Sequence, residues 1–237
     1  MTTIGVMLCD HVAPELEPIA GGYPDMFARM FRVHPDVRLQ FYDATAGHYP
    51  AAPNECDGYL TTGSAGSVNE DAEWVDKFEE FVRLLHAERA KLFGICFGHQ
   101  MIAKALGGEV HVADQGWGVG VHEVTIVEHQ PWMDPRANSY QVISSHQEQI
   151  TKLPVGATVL ASTPHCPVAM FRCGSLVGIQ GHPEFPCDYA AALLETRASI
   201  IPPDVSSTAA SSFASQPDAN LLSAWIVRYV AGVSTFE

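Results

Sequence analysis

The sequence is short of basic residues: 13 Lys and Arg stand against 27 Asp and Glu, a formal net charge of −14. Nucleic-acid binding through phosphate neutralisation needs a basic surface, and docking on an anionic membrane needs a basic patch. The balance argues against both, and the excess acid reads as solubility. Long apolar runs are missing too, so no segment is expected to span a bilayer. Met1 to Leu8 has no basic region ahead of its short apolar run, and it reads as a first strand rather than a signal peptide. A cytoplasmic protein is the expectation. The six cysteines, at 9, 56, 96, 166, 173 and 187, include no Cys-x-x-Cys pair. That spacing fits neither a zinc ribbon nor a small disulfide scaffold, so reduced thiols are expected and no metal site. No Gly-x-x-x-x-Gly-Lys-Ser/Thr loop and no Ser-Gly-Gly-x-Asp-Ser loop occurs, so these residues alone cannot drive an ATP-dependent amination.

What is present is core. Hydrophobic residues make up 47% of the 237 and charged residues only 17%, which predicts a substantial α/β domain. Strands are predicted at Ile4 to Cys9, Val37 to Tyr42, Gly58 to Thr61 and Leu92 to Ile95. Between them, helices are predicted at Pro24 to Phe31 and at Glu70 to Glu88, whose Trp74, Val75, Phe78, Phe81, Val82 and Leu85 form one stripe. Ser67 and Glu70 have capping-box spacing ahead of that helix. Alternation of this kind argues for a doubly wound, mainly parallel central sheet with helices on both faces. Short segments at Val119 to Val127, Tyr140 to Ser144, Ala157 to Ser162, Val168 to Arg172 and Leu176 to Gln180 suggest additional antiparallel strands. No linker separates them, so residues 1–237 are taken as a single domain. Asp10 to Gly22 reads as a loop and Pro202 to Asp218 as a surface excursion, with helices at Tyr189 to Ser199 and Asn220 to Val230.

Two stretches carry chemistry. In Gly94-Ile95-Cys96-Phe97-Gly98, a buried strand turns at once into a helix that stops at Gly107-Gly108. Glycines on either side of Cys96 permit a sharp turn, which would expose the sulfur as in a nucleophile elbow, with a helix N-terminus favouring thiolate. Five such residues also recur by chance around buried cysteines, so the pattern needs a companion. The second stretch, Gly181-His182-Pro183-Glu184-Phe185, follows another buried strand, and Glu184 is spaced to orient the imidazole of His182. Thr62-Gly63-Ser64-Ala65 also follows a strand, either as an ordinary turn or with its amides facing an anion.

Gly94-Ile95-Cys96-Phe97-Gly98-His99-Gln100, followed 86 residues after Cys96 by His182-Pro183-Glu184-Phe185, resembles the class I glutamine amidotransferase family. Ser144-Ser145-His146-Gln147-Glu148-Gln149 is also similar, nearest the branch of the GMP synthase glutaminase domain and the stand-alone γ-glutamyl peptidases. The resemblance covers about Asp57 to Phe185. It implies Cys96 as nucleophile, His182 as general base and acid, and Glu184 as the residue orienting His182. The Phe97 amide and the Ser64 amide would bind the oxyanion, and Gly63, Gln100, Ser145, His146 and Gln147 would hold the glutamyl end. Taken alone, His146 would read as a hydrogen-bonded structural histidine. Many members carry Gly-Gly-Pro or Asn-Gly-Pro where this chain has Thr62-Gly63-Ser64-Ala65, which bears on the second oxyanion donor. The implied activity is cleavage of a small-molecule γ-glutamyl amide without metal or cofactor. The alternatives are a glutaminase supplying ammonia to a separate ATP-dependent synthetase, or a binding module with a vestigial elbow.

Overall fold

The computed structural model describes residues 1–232. Its strands β1 (Thr2–Leu8), β2 (Val37–Asp43), β3 (Gly58–Thr61) and β4 (Leu92–Ile95) alternate with helices. These are α1 (Glu17–Ala20), α2 (Tyr23–Met30), α3 (Glu73–Ala87) and α4 (Phe97–Ala105). Then come β5 (Glu109–Val112), β6 (Gly118–Ile126), β7 (Ser139–His146), β8 (Glu148–Lys152), β9 (Thr158–Ser162), β10 (Met170–Cys173) and β11 (Leu176–Ile179). Helices α5 (Cys187–Thr196), α6 (Pro203–Ser212) and α7 (Ala219–Ala231) complete the described chain. The main sheet has nine strands in the order β2-β1-β3-β4-β11-β10-β9-β6-β7. It is parallel from β2 through β11, and antiparallel from β11 to β7.

Both faces of the parallel block are buried at β1, β3, β4 and β11, which is why those strands are largely apolar, whereas the edge strand β2 alternates with polar residues. Side chains alternate between two cores along each strand. Ile4, Val6, Phe93, Ile95 and Val177 pack with Phe27 of α2 and with Trp225 and Tyr229 of α7. Met7, Tyr59, Leu92 and Leu176 pack with Phe78 and Val82 of α3 and Met101 of α4 on the other side. The sheet is thus doubly wound, with chemistry-bearing loops at the carboxyl ends of its parallel strands.

Several local expectations are corrected. Helix α3 begins at Glu73, behind Ala72 and without a side-chain cap. The Ser67 hydroxyl instead donates to Glu148 and accepts from the Asn69 amide, so no Ser67–Glu70 capping box forms. The 10–22 segment contains α1, and the expected excursion at 202–218 contains α6, which lays the buried Ala209 and Ser212 against β6, the Ser212 hydroxyl accepting from the Val121 amide. Strands β5 and β8 form a separate two-stranded sheet. Their alternation was hidden because both are short and largely polar. Among the described residues no helix is long and apolar enough to cross a membrane.

Candidate active site

Cys96 occupies the corner between β4 and α4 with φ 48° and ψ −95°. A positive φ is strained for a residue with a β-carbon, and the surroundings have to enforce it. Gly94 and Gly98 do so by allowing direct contact between strand and helix: a Cβ on Gly94 would lie 2.5 Å from the Gly98 carbonyl, and one on Gly98 would overlap Thr61. The Thr61 hydroxyl accepts from the Ile95 amide at 2.9 Å, locking β3 to the end of β4. The Cys96 amide donates to the Ile179 carbonyl of β11 at 2.9 Å.

His182 lies just past β11, tied to β7 by its amide, which donates to the Ile143 carbonyl at 2.7 Å. Its Nδ1 is 2.9 Å from Glu184 Oε1, and both side chains are almost wholly buried. Phe185 stacks on the imidazole with ring centroids 4.0 Å apart and planes within 10°. Burial opposes a charge on this ring, but the sulfur of Cys96 and the carboxylate of Glu184 outweigh it. They raise the His182 pKa well above that of free imidazole, which favours imidazolium near neutrality.

The turn after β3 lies against both groups. A Cβ on Gly63 would stand 2.5 Å from His182 Cε1 and 3.5 Å from the Cys96 Cβ, so thiol and imidazole flank one point of backbone. Asp10, just past β1, holds the turn by accepting from the Ala65 amide at 2.7 Å and the Ser64 hydroxyl at 3.4 Å. The amides of Ser64 and Phe97 donate to no acceptor among the described residues.

Cys96, Gln100, Ser145, His146, Gln147 and Glu148 line one cleft, together with Ser64 and its neighbours in the turn. Gln100 donates its amide nitrogen to the Glu148 carbonyl at 2.8 Å and to Gln180 Oε1 at 3.2 Å. Gln180 in turn donates to the Cys96 sulfur at 3.5 Å. His146 Nδ1 is 3.1 Å from the Glu148 carbonyl. Burial, and nearby His165, His182 and His122, push the His146 pKa down to about 3, so that ring is neutral. Ser145 accepts from Arg197 Nη1 at 2.7 Å.

Asp10, Gln180, Phe185 and Arg197 were not singled out by the sequence. Phe185 sits inside a quoted motif, but the other three become visible only through partners far along the chain. Among the described residues no group of three or more His, Cys, Asp or Glu side chains could hold a metal ion.

A thiol on a strand-to-helix corner, at the carboxyl edge of a doubly wound sheet and beside an imidazole backed by a carboxylate, has the geometry of a nucleophile elbow in an α/β protein. Comparison with known proteins is more specific. The family model for glutamine amidotransferase class-I matches residues 31–196. Gamma-glutamyl peptidase 3 of Arabidopsis thaliana is 32% identical over 174 residues, 70% of each chain. The glutamine-hydrolyzing GMP synthase of Aeropyrum pernix is 31% identical over 169 residues, covering 69% of this chain but only 31% of that protein. In fold, a glutamine amidotransferase from Thermotoga maritima superposes with a TM-score of 0.75 at 21% identity, covering 97% of this chain and 99% of that one. The chain belongs to the class I glutamine amidotransferase family.

Proposed function

We propose that the chain, taken as one domain over residues 1–237, is a cysteine-dependent hydrolase of γ-glutamyl amide bonds, acting on glutamine or a γ-glutamyl peptide or amine. The observation that carries this reading is the meeting of Cys96 and His182 at Gly63, with Glu184 behind the imidazole at 2.9 Å. A free thiol ionises near ~8.5, so an adjacent imidazolium is what makes a thiolate available near neutrality. The thiolate attacks the γ-carbonyl carbon, and the Phe97 and Ser64 amides receive the developing oxyanion. Loss of one such donor typically costs about 3 kcal/mol of transition-state stabilisation. His182 then protonates the departing nitrogen, leaving a γ-glutamyl thioester on Cys96. Water activated by the same histidine releases glutamate. Gln100, Ser145, His146 and Gln147 border the space assigned to the glutamyl end, and Gly63 lies beside Cys96 and His182. The neutral His146 would act there by shape and hydrogen bonding, not by charge.

Similarity to a GMP synthase supports a second reading, in which the chain is a glutaminase component that passes ammonia to a separate ATP-dependent synthetase. Glutamate release from glutamine and a panel of γ-glutamyl dipeptides separates the two. Steady turnover by the purified chain, falling about 10⁴-fold or more in Cys96→Ala and His182→Ala, is expected for the hydrolase. Turnover that appears only with an added synthetase and its nucleotide would move the assignment to the second reading. No turnover under either condition, with a Cys96 inert to alkylation, would reject both.

A further inference from the structure

We propose that the second cleft at the site, which borders His182 but not Cys96, receives the leaving group, and that this group is an α-amino acid with a large apolar side chain whose carboxylate is held by Arg197. The proposal rests on the hydrolase reading above. The cleft has room of about 100 Å³. In acyl transfer the atom attacked must face the thiol, and the nitrogen released must face the imidazole. The cleft that contains Cys96 and Gln100 therefore serves the acyl half. Ser64, Ala65, Ser145 and Arg197 border both clefts, so the scissile bond belongs at this junction.

One wall of the second cleft is apolar. Phe185 lies on the imidazole, Tyr189 packs on Phe185 at 4.7 Å, and Tyr23 lies 6.3 Å from Phe185 on another side. Leu16 and Leu193 complete that surface. Ammonia, the product from glutamine, has no apolar surface to place there. Arg197 supplies the polar contact. It is held by Ser145 and by the Trp117 ring, 5.8 Å from its guanidinium carbon. No carboxylate among the described residues lies within ion-pair distance of it. The acid in the cleft, Asp10, is already engaged by the Ala65 and His11 amides and the Ser64 hydroxyl. A guanidinium fixed in this way matches a carboxylate in geometry as well as charge. The carboxylate of a departing α-amino acid is borne on the same carbon as the scissile nitrogen and so falls beside the junction. The glutamyl carboxylate sits at the opposite end of the acyl chain. When the Cys96 sulfur bonds to the γ-carbonyl carbon and that carbon's bond to nitrogen breaks, the nitrogen takes the proton of His182. The free amino acid leaves through the second cleft.

The test compares kcat/KM for γ-glutamyl-phenylalanine, γ-glutamyl-glycine, γ-glutamyl-phenethylamide and glutamine. The phenethylamide keeps the phenyl ring and lacks the carboxylate. Wild type is expected to prefer γ-glutamyl-phenylalanine over the phenethylamide and over γ-glutamyl-glycine, each by about tenfold or more. In Arg197→Gln the first preference should fall to near one, with Arg197→Lys between. A carboxylate preference absent in wild type, or unchanged in Arg197→Gln, would overturn the proposal, the second result placing the guanidinium at the glutamyl end. If Arg197→Gln does not fold, the wild-type substrate ratios alone decide. Hydrolysis of glutamine and the phenethylamide with neither preference sinks this proposal and leaves the hydrolase reading standing, whereas no hydrolysis of any of the four removes both.

Discussion

From β2 to β11 the strands run parallel, and they hold the site by backbone. From β10 to β7 they run antiparallel, and they border it with buried polar side chains. On the parallel side the devices are a positive φ at Cys96, two glycines that let β4 and α4 touch, and a glycine at 63 against which thiol and imidazole rest. On the antiparallel side they are side chains: the neutral His146 of β7 against the Glu148 carbonyl, with Gln149, next along β8, donating to the His165 carbonyl at 3.0 Å. A backbone device tolerates changes of side-chain chemistry but not an added methyl group. A side-chain device tolerates small changes of shape but not a charge. The two halves should therefore fail under different insults.

Among changes that leave the side chains of Cys96, His182 and Glu184 in place, the largest effect is expected at Gly63. In Gly63→Ala the new Cβ would occupy space 2.5 Å from His182 Cε1, and the imidazole must shift. Displacing a reacting group by about 1 Å costs on the order of 10²-fold in rate. Gly63→Ala is accordingly expected to lose about a hundredfold in kcat while its thermal midpoint changes little, since Gly63 lies in a loop. A fall in stability with unchanged kcat would mean that the turn supports the fold and not the reacting geometry. Steady-state kinetics beside a melting curve distinguishes the outcomes.

Acid should act through buried histidines, His146 of β7 in the antiparallel half and His99 of α4 in the parallel half. Burial pushes His146 to about 3 and His99 to about 4. Both values lie below that of the unfolded chain, so the unfolded state binds more protons as pH falls. The stability these rings contribute is full above about 6.5 and declines as pH drops toward the folded-state values. At about 1.4 kcal/mol per unit of pH beyond the unfolded pKa, the two together should cost roughly 1–2 kcal/mol between pH 7 and pH 6. His182 has the opposite sign: its pKa is raised on folding, so its contribution is full below about 6.5 and is lost as pH rises through its folded value. Urea denaturation at pH 7, 6 and 5 in wild type and His146→Gln checks the acid limb. An unchanged acid dependence in the variant would show that His146 is not among the groups responsible.

These contrasts follow how the chain could be read. The parallel half is legible because apolar runs bounded by glycine leave few alternatives: Gly58 to Thr61 and Leu92 to Ile95 are strands with those very bounds. The elbow and the His182–Glu184 pair stood out for the same reason, as residues packed closely in sequence. The antiparallel strands were legible too, since β6, β7, β9 and β10 lie where short strands were expected, and what stayed hidden are the elements packed beside them. Strand β5, Glu109-Val110-His111-Val112, alternates but is only four residues long, too short for the alternation to stand out. Helix α6 buries only Ala209 in a Ser- and Ala-rich stretch, and composition of that kind reads as surface. Asp10 and Arg197 were invisible for a different cause, since each is a lone charge whose partners lie 54 and 52 residues away.

Gln180 sharpens the comparison because it touches both halves. It follows the last parallel strand, its amide donates to Ala169 beside the antiparallel block at 2.9 Å, and its side chain links Gln100 to the Cys96 sulfur. The contact to sulfur is long at 3.5 Å, and a typical hydrogen bond contributes about 1 kcal/mol net. Gln180→Leu keeps much of the volume and removes the donor to Cys96 and the acceptor for Gln100. The expected result is a loss of only about fivefold in kcat/KM. The loss should grow toward alkaline pH if the amide supports the thiolate in place of a weakening imidazolium, and it should stay constant with pH if Gln180 only positions Gln100. A loss as large as that of Gly63→Ala would mean that a side-chain network, and not the backbone of the parallel strands, sets the reacting geometry, and the division between the halves would have to be redrawn. A pH–rate profile of the two variants measured together decides it.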